Sequence, residues 1–143
     1  MGTRLTGWER ILAREIEAAR ARPFRWGRHD CATWAFAVRH ALTGQRPARG
    51  WAGRHATARG ALRVMRRMGW HTLADLARAE LGAPHATHLL AQRGDIVLAR
   101  VGAHAACAFG GALGICTGRD AAFAGPEGLQ FIALRAATAA WRV

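Results

Sequence analysis

The stretch Phe24-Arg25-Trp26-Gly27-Arg28-His29-Asp30-Cys31-Ala32-Thr33-Trp34-Ala35-Phe36-Ala37-Val38-Arg39-His40-Ala41-Leu42 joins an aromatic-glycine turn to a helix that opens at a cysteine. Asp30 is an N-cap residue type, because a short carboxylate accepts the free N–H groups of a first turn. After it, Cys31, Trp34, Ala35, Val38 and Leu42 recur at helical spacing and share one face. Cys31 therefore lies in the first turn, on the inward side. Two readings of its thiol follow. Unpaired first-turn N–H groups and the positive end of the helix favour a thiolate nucleophile, which the neighbouring Asp30 carboxylate opposes. Alternatively, the thiol is a small apolar group packed beside Trp34 and Val38.

Upstream, Trp8, Ile11, Leu12, Ile16 and Ala19 make an apolar stripe with Arg10, Arg14, Glu17 and Arg20 outside it, so residues 5–21 read as an amphipathic helix. Pro23 ends it. Phe24 and Trp26 then either line a cleft beside Cys31 or clamp the turn onto the core. Downstream, residues 43–50 read as a loop through Thr43-Gly44 and Pro47, kept solvated by its arginines. Thr57 caps a helix with Ala58, Ala61, Leu62, Met65 and Met68 inward and Arg59, Arg63, Arg66 and Arg67 outward, the densest arginine face in the chain. Such a face either meets an anionic partner or is an ordinary solvated surface. Gly69 stops this helix. Thr72 and Asp75 have the spacing of a capping box for a short helix through Leu73, Leu76, Ala77 and Leu81, closed by Gly82 and Pro84.

The second half changes period. Residues 94–99 read as a strand and 105–109 as another, with Gly110-Gly111 as a hairpin-like turn. Residues 112–117, 120–124 and 129–134 follow as strands, the last two joined by Gly125-Pro126-Glu127-Gly128. Trp141-Arg142-Val143 docks its apolar ends on the core. Helices followed by antiparallel strands predict an α+β domain. No repeat, low-complexity tract or linker divides the chain, so residues 1–143 read as one domain.

The net charge of +12 comes from 21 basic residues, all arginine, against 9 acidic ones. The absence of lysine and tyrosine suits a GC-rich genome, so codon usage contributes to the bias. The charge still favours anionic neighbours, either nucleic acid or the acidic face of a larger assembly. The scatter of the arginines along the chain favours protein. Cys31, Cys107 and Cys116 are odd in number and lack a C-x-x-C spacing, which argues against a disulfide framework and for synthesis in a reducing cytoplasm. Glu9 and Arg10 interrupt the apolar run a signal peptide needs, and no stretch has the length of a membrane span. His85, His88, His104, Cys107 and Cys116 are metal-ligand types without a recognised spacing, so neither a metal nor a cofactor is expected. Asp75, Asp95 and Asp120 are isolated and read as cap or turn residues.

An aromatic-x-Gly segment leading to Asp-Cys at a helix start, then Arg-Gly-Asp-Ile-Val, then Leu-Gly-Ile-x-x-Gly, resembles the NlpC-type branch of the papain-like cysteine peptidases. More narrowly, the order of Trp26–Cys31, Thr43-Gly44, Thr57–Arg63, Gln92–Asp95, Leu113–Gly118 and Ala140–Val143 is similar to that in a family of small proteins encoded in prophages and phage tail-gene clusters. The resemblance implies a papain-like fold, with N-terminal helices packed on a C-terminal antiparallel sheet. It also implies that Cys31 is the nucleophile and that the histidine base stands just before Leu113-Gly114-Ile115. That position is Ala112, which cannot take up a thiol proton. His104 is the candidate replacement, and His29 would have to fold back across the cap.

The function this implies is a structural component of a phage or prophage-derived tail tip or baseplate, catalytically inactive on a peptidase-like scaffold. Its partners would be other tail proteins in a multi-subunit assembly, with no small-molecule cofactor, and its place would be the virion tail. The alternative is an active cysteine peptidase or amidase that cuts cell-wall peptides, with Cys31 as nucleophile and His104 as base.

Overall fold

A computed structural model describes residues 3–101 and 108–143. Among these, four α-helices precede a five-stranded antiparallel sheet: α1 (Trp8–Ala19), α2 (Cys31–Thr43), α3 (Ala58–Arg67) and α4 (Leu73–Leu81), then β1 (Ile96–Ala99), β2 (Ala112–Cys116), β3 (Asp120–Gly125), β4 (Gly128–Ala133) and β5 (Ala139–Trp141). The chain is thus α+β, as the change of period predicts. Asp30, Thr57 and Thr72 each cap a helix through a side-chain oxygen, and Thr72 with Asp75 completes the capping box. None of the described helices is long and apolar enough to cross a membrane.

The sheet order is β4-β3-β2-β1-β5, which puts β2 at the centre. Residues on one strand alternate between faces. Ile96, Leu98, Leu113 and Ile115 pack with Leu12, Phe36, Val38 and Leu42 under the helices. Val97, Ala99, Cys116, Ala121 and Phe123 form a second cluster on the opposite face, under Leu134 and Ala137. Burial on both faces explains why β1 and β2 read as continuous apolar runs. Gly114 is required there, since a methyl group would run into the Ala122 carbonyl oxygen and the Phe123 ring.

Two strand expectations change. Of the segment 105–109, residues 105–107 lie outside the described residues. Ala108 is helical and Phe109 lies in a turn, so that end is not a strand. At the C-terminus the docked end is itself a strand: β5 pairs with β1 through Ile96↔Trp141 and Leu98↔Ala139. Asp95 secures this closure. Its buried carboxylate accepts from Arg4 Nη2 (2.9 Å), the Val143 N–H (3.0 Å), His85 Nε2 (3.0 Å) and the Gln92 N–H (2.9 Å), joining both ends of the chain to the sheet.

Candidate functional site

Cys31 opens α2 and faces β2, with the Leu113 N–H directed at its sulfur. A cavity of about 40 Å³ lies beside it, lined by Trp26, Asp30, Cys31, His55, Met65 and Phe109 among others. Phe24 and Trp26 meet edge to face at 4.8 Å, and Trp26 lies 5.7 Å from the Phe109 ring, so the aromatic turn both clamps the core and walls the cavity. Such a space holds a few waters at most, whereas sites for small organic ligands run to about 300 Å³ or more.

Asp30 is the electrostatic centre of this region. Its carboxylate accepts from the Thr33 N–H (2.8 Å), the Gly27 N–H (2.8 Å) and His55 Nε2 (2.6 Å). Burial alone would raise its pKa, but hydrogen bonds from His55, Thr33 and Gly27 outweigh that and hold it below the ordinary value. An ionised Asp30 can only accept, so His55 Nε2 carries a proton. His55 Nδ1 is then the nitrogen able to take up another, and it makes no hydrogen bond among the described residues. Gly27 must be glycine: its φ is +76°, and a methyl group there would meet the His55 carbonyl oxygen.

The cysteine itself is half-buried. Burial, and then the negative charge of Asp30, push its thiol up to about 12, against the pull of the Leu113, Ala32 and Cys31 N–H groups. At neutral pH it is a neutral thiol, the less nucleophilic form. Of the first-turn N–H groups, that of Thr33 goes to the Asp30 carboxylate, while those of Cys31 and Ala32 stay on the sulfur and do not overcome burial and the Asp30 charge.

A family model described as a domain of unknown function, DUF6950, matches residues 3–143. The chain belongs to the DUF6950 family. No protein of curated function and no solved structure matches it.

Of the residues singled out in the sequence of this DUF6950 domain, Cys31 is in the cavity. His104 lies outside the described residues, as does Cys107. Ala112 begins β2 on the face that packs with Val97 and Cys116, away from Cys31. His29 is buried against Trp34, with its ring centroid 6.2 Å from the indole, and does not line the cavity. Both of its ring nitrogens lack a hydrogen-bond partner among the described residues. His85 binds Asp95, His88 lies 3.2 Å from the Arg135 carbonyl oxygen, and Cys116 points to the Gly118 carbonyl, so these three do not converge on one point. The residue that sequence reasoning missed is His55. It sits in the loop before the Thr57 cap, where no local spacing ties it to Asp30, 25 positions upstream.

Proposed function

We propose that this domain is a non-catalytic component of a phage or prophage-derived tail, at the tip or baseplate, built on an NlpC-type papain-like scaffold. The tail assignment is supported by the order of the six motifs from Trp26–Cys31 to Ala140–Val143. The observation that carries the loss of catalysis is the state of Cys31: a thiol pushed up to about 12, in an apolar cavity of about 40 Å³ beside an anionic Asp30. A cysteine peptidase needs a thiolate, a base able to receive its proton, and room for a peptide bond. Helices packed on an antiparallel sheet, with the cysteine at a helix start facing the central strand, agree with the scaffold.

A second reading is favoured by one observation, the sharing of the cavity by Cys31, His55 and Asp30. In it, Asp30 orients the imidazole, and His55 Nδ1 receives the thiol proton as the sulfur bonds to the carbonyl carbon of a cell-wall peptide bond. The amine leaves with that proton, and water hydrolyses the thioester to a carboxylate and restores the thiol. The test is to purify tails from an induced lysogen encoding either the native chain or Cys31→Ser. The proposal expects the chain in both preparations, with equal yields of infectious particles. Absence of the chain from tails would refute the assignment, and loss of infectivity with intact tails in Cys31→Ser would favour the hydrolase.

A further inference from the structure

A different face of the molecule carries the features of a binding site. Between α2 and the segment 46–54 lies a cleft of about 380 Å³, roughly nine times the cavity at Cys31. Arg46, Arg49 and Arg54 line it, over a floor that includes Phe36 and Trp51. The two rings pack edge to face at 5.3 Å. No acidic side chain lines the cleft, and none of the three guanidinium groups is in an ion pair among the described residues.

The loop that carries these arginines is held in place. Glu80 accepts from the Ala48 N–H (2.8 Å), the Arg49 N–H (3.0 Å) and Trp51 Nε1 (3.1 Å). Glu80 is thus engaged by the loop's backbone and indole, which fixes the wall of the cleft, and it makes no ion pair with the three guanidinium groups among the described residues. Like charges gathered in a concavity raise the local potential and repel one another until an anion enters. Guanidinium forks match oxyanions, bidentately where geometry permits.

We propose that this cleft binds a short acidic peptide segment of a partner protein, its carboxylates on Arg46, Arg49 and Arg54 and its apolar side chains against the accessible Ala37, Pro47 and Ala52 of the lining. The inference rests on the reading of the domain as a docking component and names the face that docks. A peptide is favoured over nucleic acid because the aromatic rings of the cleft are buried and offer no face for a base. A polynucleotide needs a basic groove that tracks successive phosphates, with exposed rings for its bases; Phe36 and Trp51 are 1% and 2% exposed.

The experiment is fluorescence anisotropy on the full chain in about 0.15 M salt, with a fluorescein-labelled peptide alternating Glu-Asp with Leu. A single-stranded oligonucleotide serves as a competing probe. The triple variant Arg46→Ser/Arg49→Ser/Arg54→Ser should weaken peptide binding by about tenfold or more. A control triple on α3, Arg59→Ser/Arg63→Ser/Arg67→Ser, removes the same charge and should weaken it by no more than about twofold. The double variant Arg46→Gln/Arg54→Gln gives the same contrast should the triple fail to fold. Equal loss in cleft and control variants, no peptide binding by the native chain, or an oligonucleotide that displaces the peptide from the cleft would each overturn the proposal. Peptide binding by a chain absent from purified tails would refute the tail assignment alone.

Discussion

Removing the Asp30 carboxylate should unfasten three segments at once. In Asp30→Ala, the Thr33 N–H loses its cap, the Gly27 N–H its acceptor, and His55 the partner at 2.6 Å. An N-cap loss costs about 1 kcal/mol, and each hydrogen bond to a charged acceptor about 1.5–3 kcal/mol. These contributions overlap because the groups share one acceptor, so the expected loss is about 4 kcal/mol rather than their total. For a chain of this length, unfolding entropy near the midpoint is about 0.3 kcal/mol per degree, which translates to a fall in Tm of about 10–15 °C. Thermal denaturation followed by circular dichroism reads this directly, with Asp30→Asn in between because its amide oxygen keeps one acceptor. The loss should also depend on pH. The folded pKa of Asp30 is depressed, so its contribution is complete above the unfolded value of about 3.9 and disappears as pH falls through the folded value. The gap between native chain and Asp30→Ala should therefore narrow in acid. A loss below about 1 kcal/mol at neutral pH would refute the view that Asp30 fastens the aromatic turn, the helix and the His55 loop together.

Three further outcomes are expected. Gly27→Ala should destabilise by about 3 kcal/mol or more, from a left-handed φ and a clash with the His55 carbonyl, read as a lower urea midpoint at unchanged m. His29 has a lowered pKa, from burial and then Arg22. Its unfolded form therefore binds protons first, and stability is lost as pH falls below about 6.5; His29→Phe should flatten that fall in denaturant titrations at neutral and mildly acidic pH. Asp95→Asn should cost about 2–4 kcal/mol, and hydrogen exchange should then speed up at Val143 and in β5 before it does in α2.

The helices were legible in the sequence because their caps are local. Asp30, Thr57 and Thr72 each lie within three residues of the N–H they bind, and the apolar stripes fix the buried faces. The strands from Ala112 to Ala133 were legible through period and glycine turns. β5 was not, since Ala139-Ala140-Trp141 has no strand-like alternation of its own and becomes a strand by pairing with β1. Asp95 looked like a turn residue because its partners Arg4 and Val143 stand 91 and 48 positions away. At the candidate site, spacing placed Cys31 and its opposing Asp30 charge. It could not place His55, whose approach depends on how the loop after α2 folds back over Gly27. The arginine-lined cleft was hidden for the same reason: the loop read as merely solvated, and only Glu80 on α4 shows that it is held.

The reactivity of Cys31 decides most directly between a protonated thiol and a nucleophile. Alkylation by iodoacetamide, followed by peptide mapping to separate Cys31 from Cys107 and Cys116, should be run from about pH 5 to 10, a range that brackets the free-thiol pKa of about 8.5. With the thiol pushed up to about 12, Cys31 should react only slowly, at a rate still rising at the top of that range, and Asp30→Asn should move the rise to lower pH because one of its two opposing influences is gone. A thiolate rate already at plateau near neutral pH, abolished in His55→Ala, would contradict the non-catalytic reading.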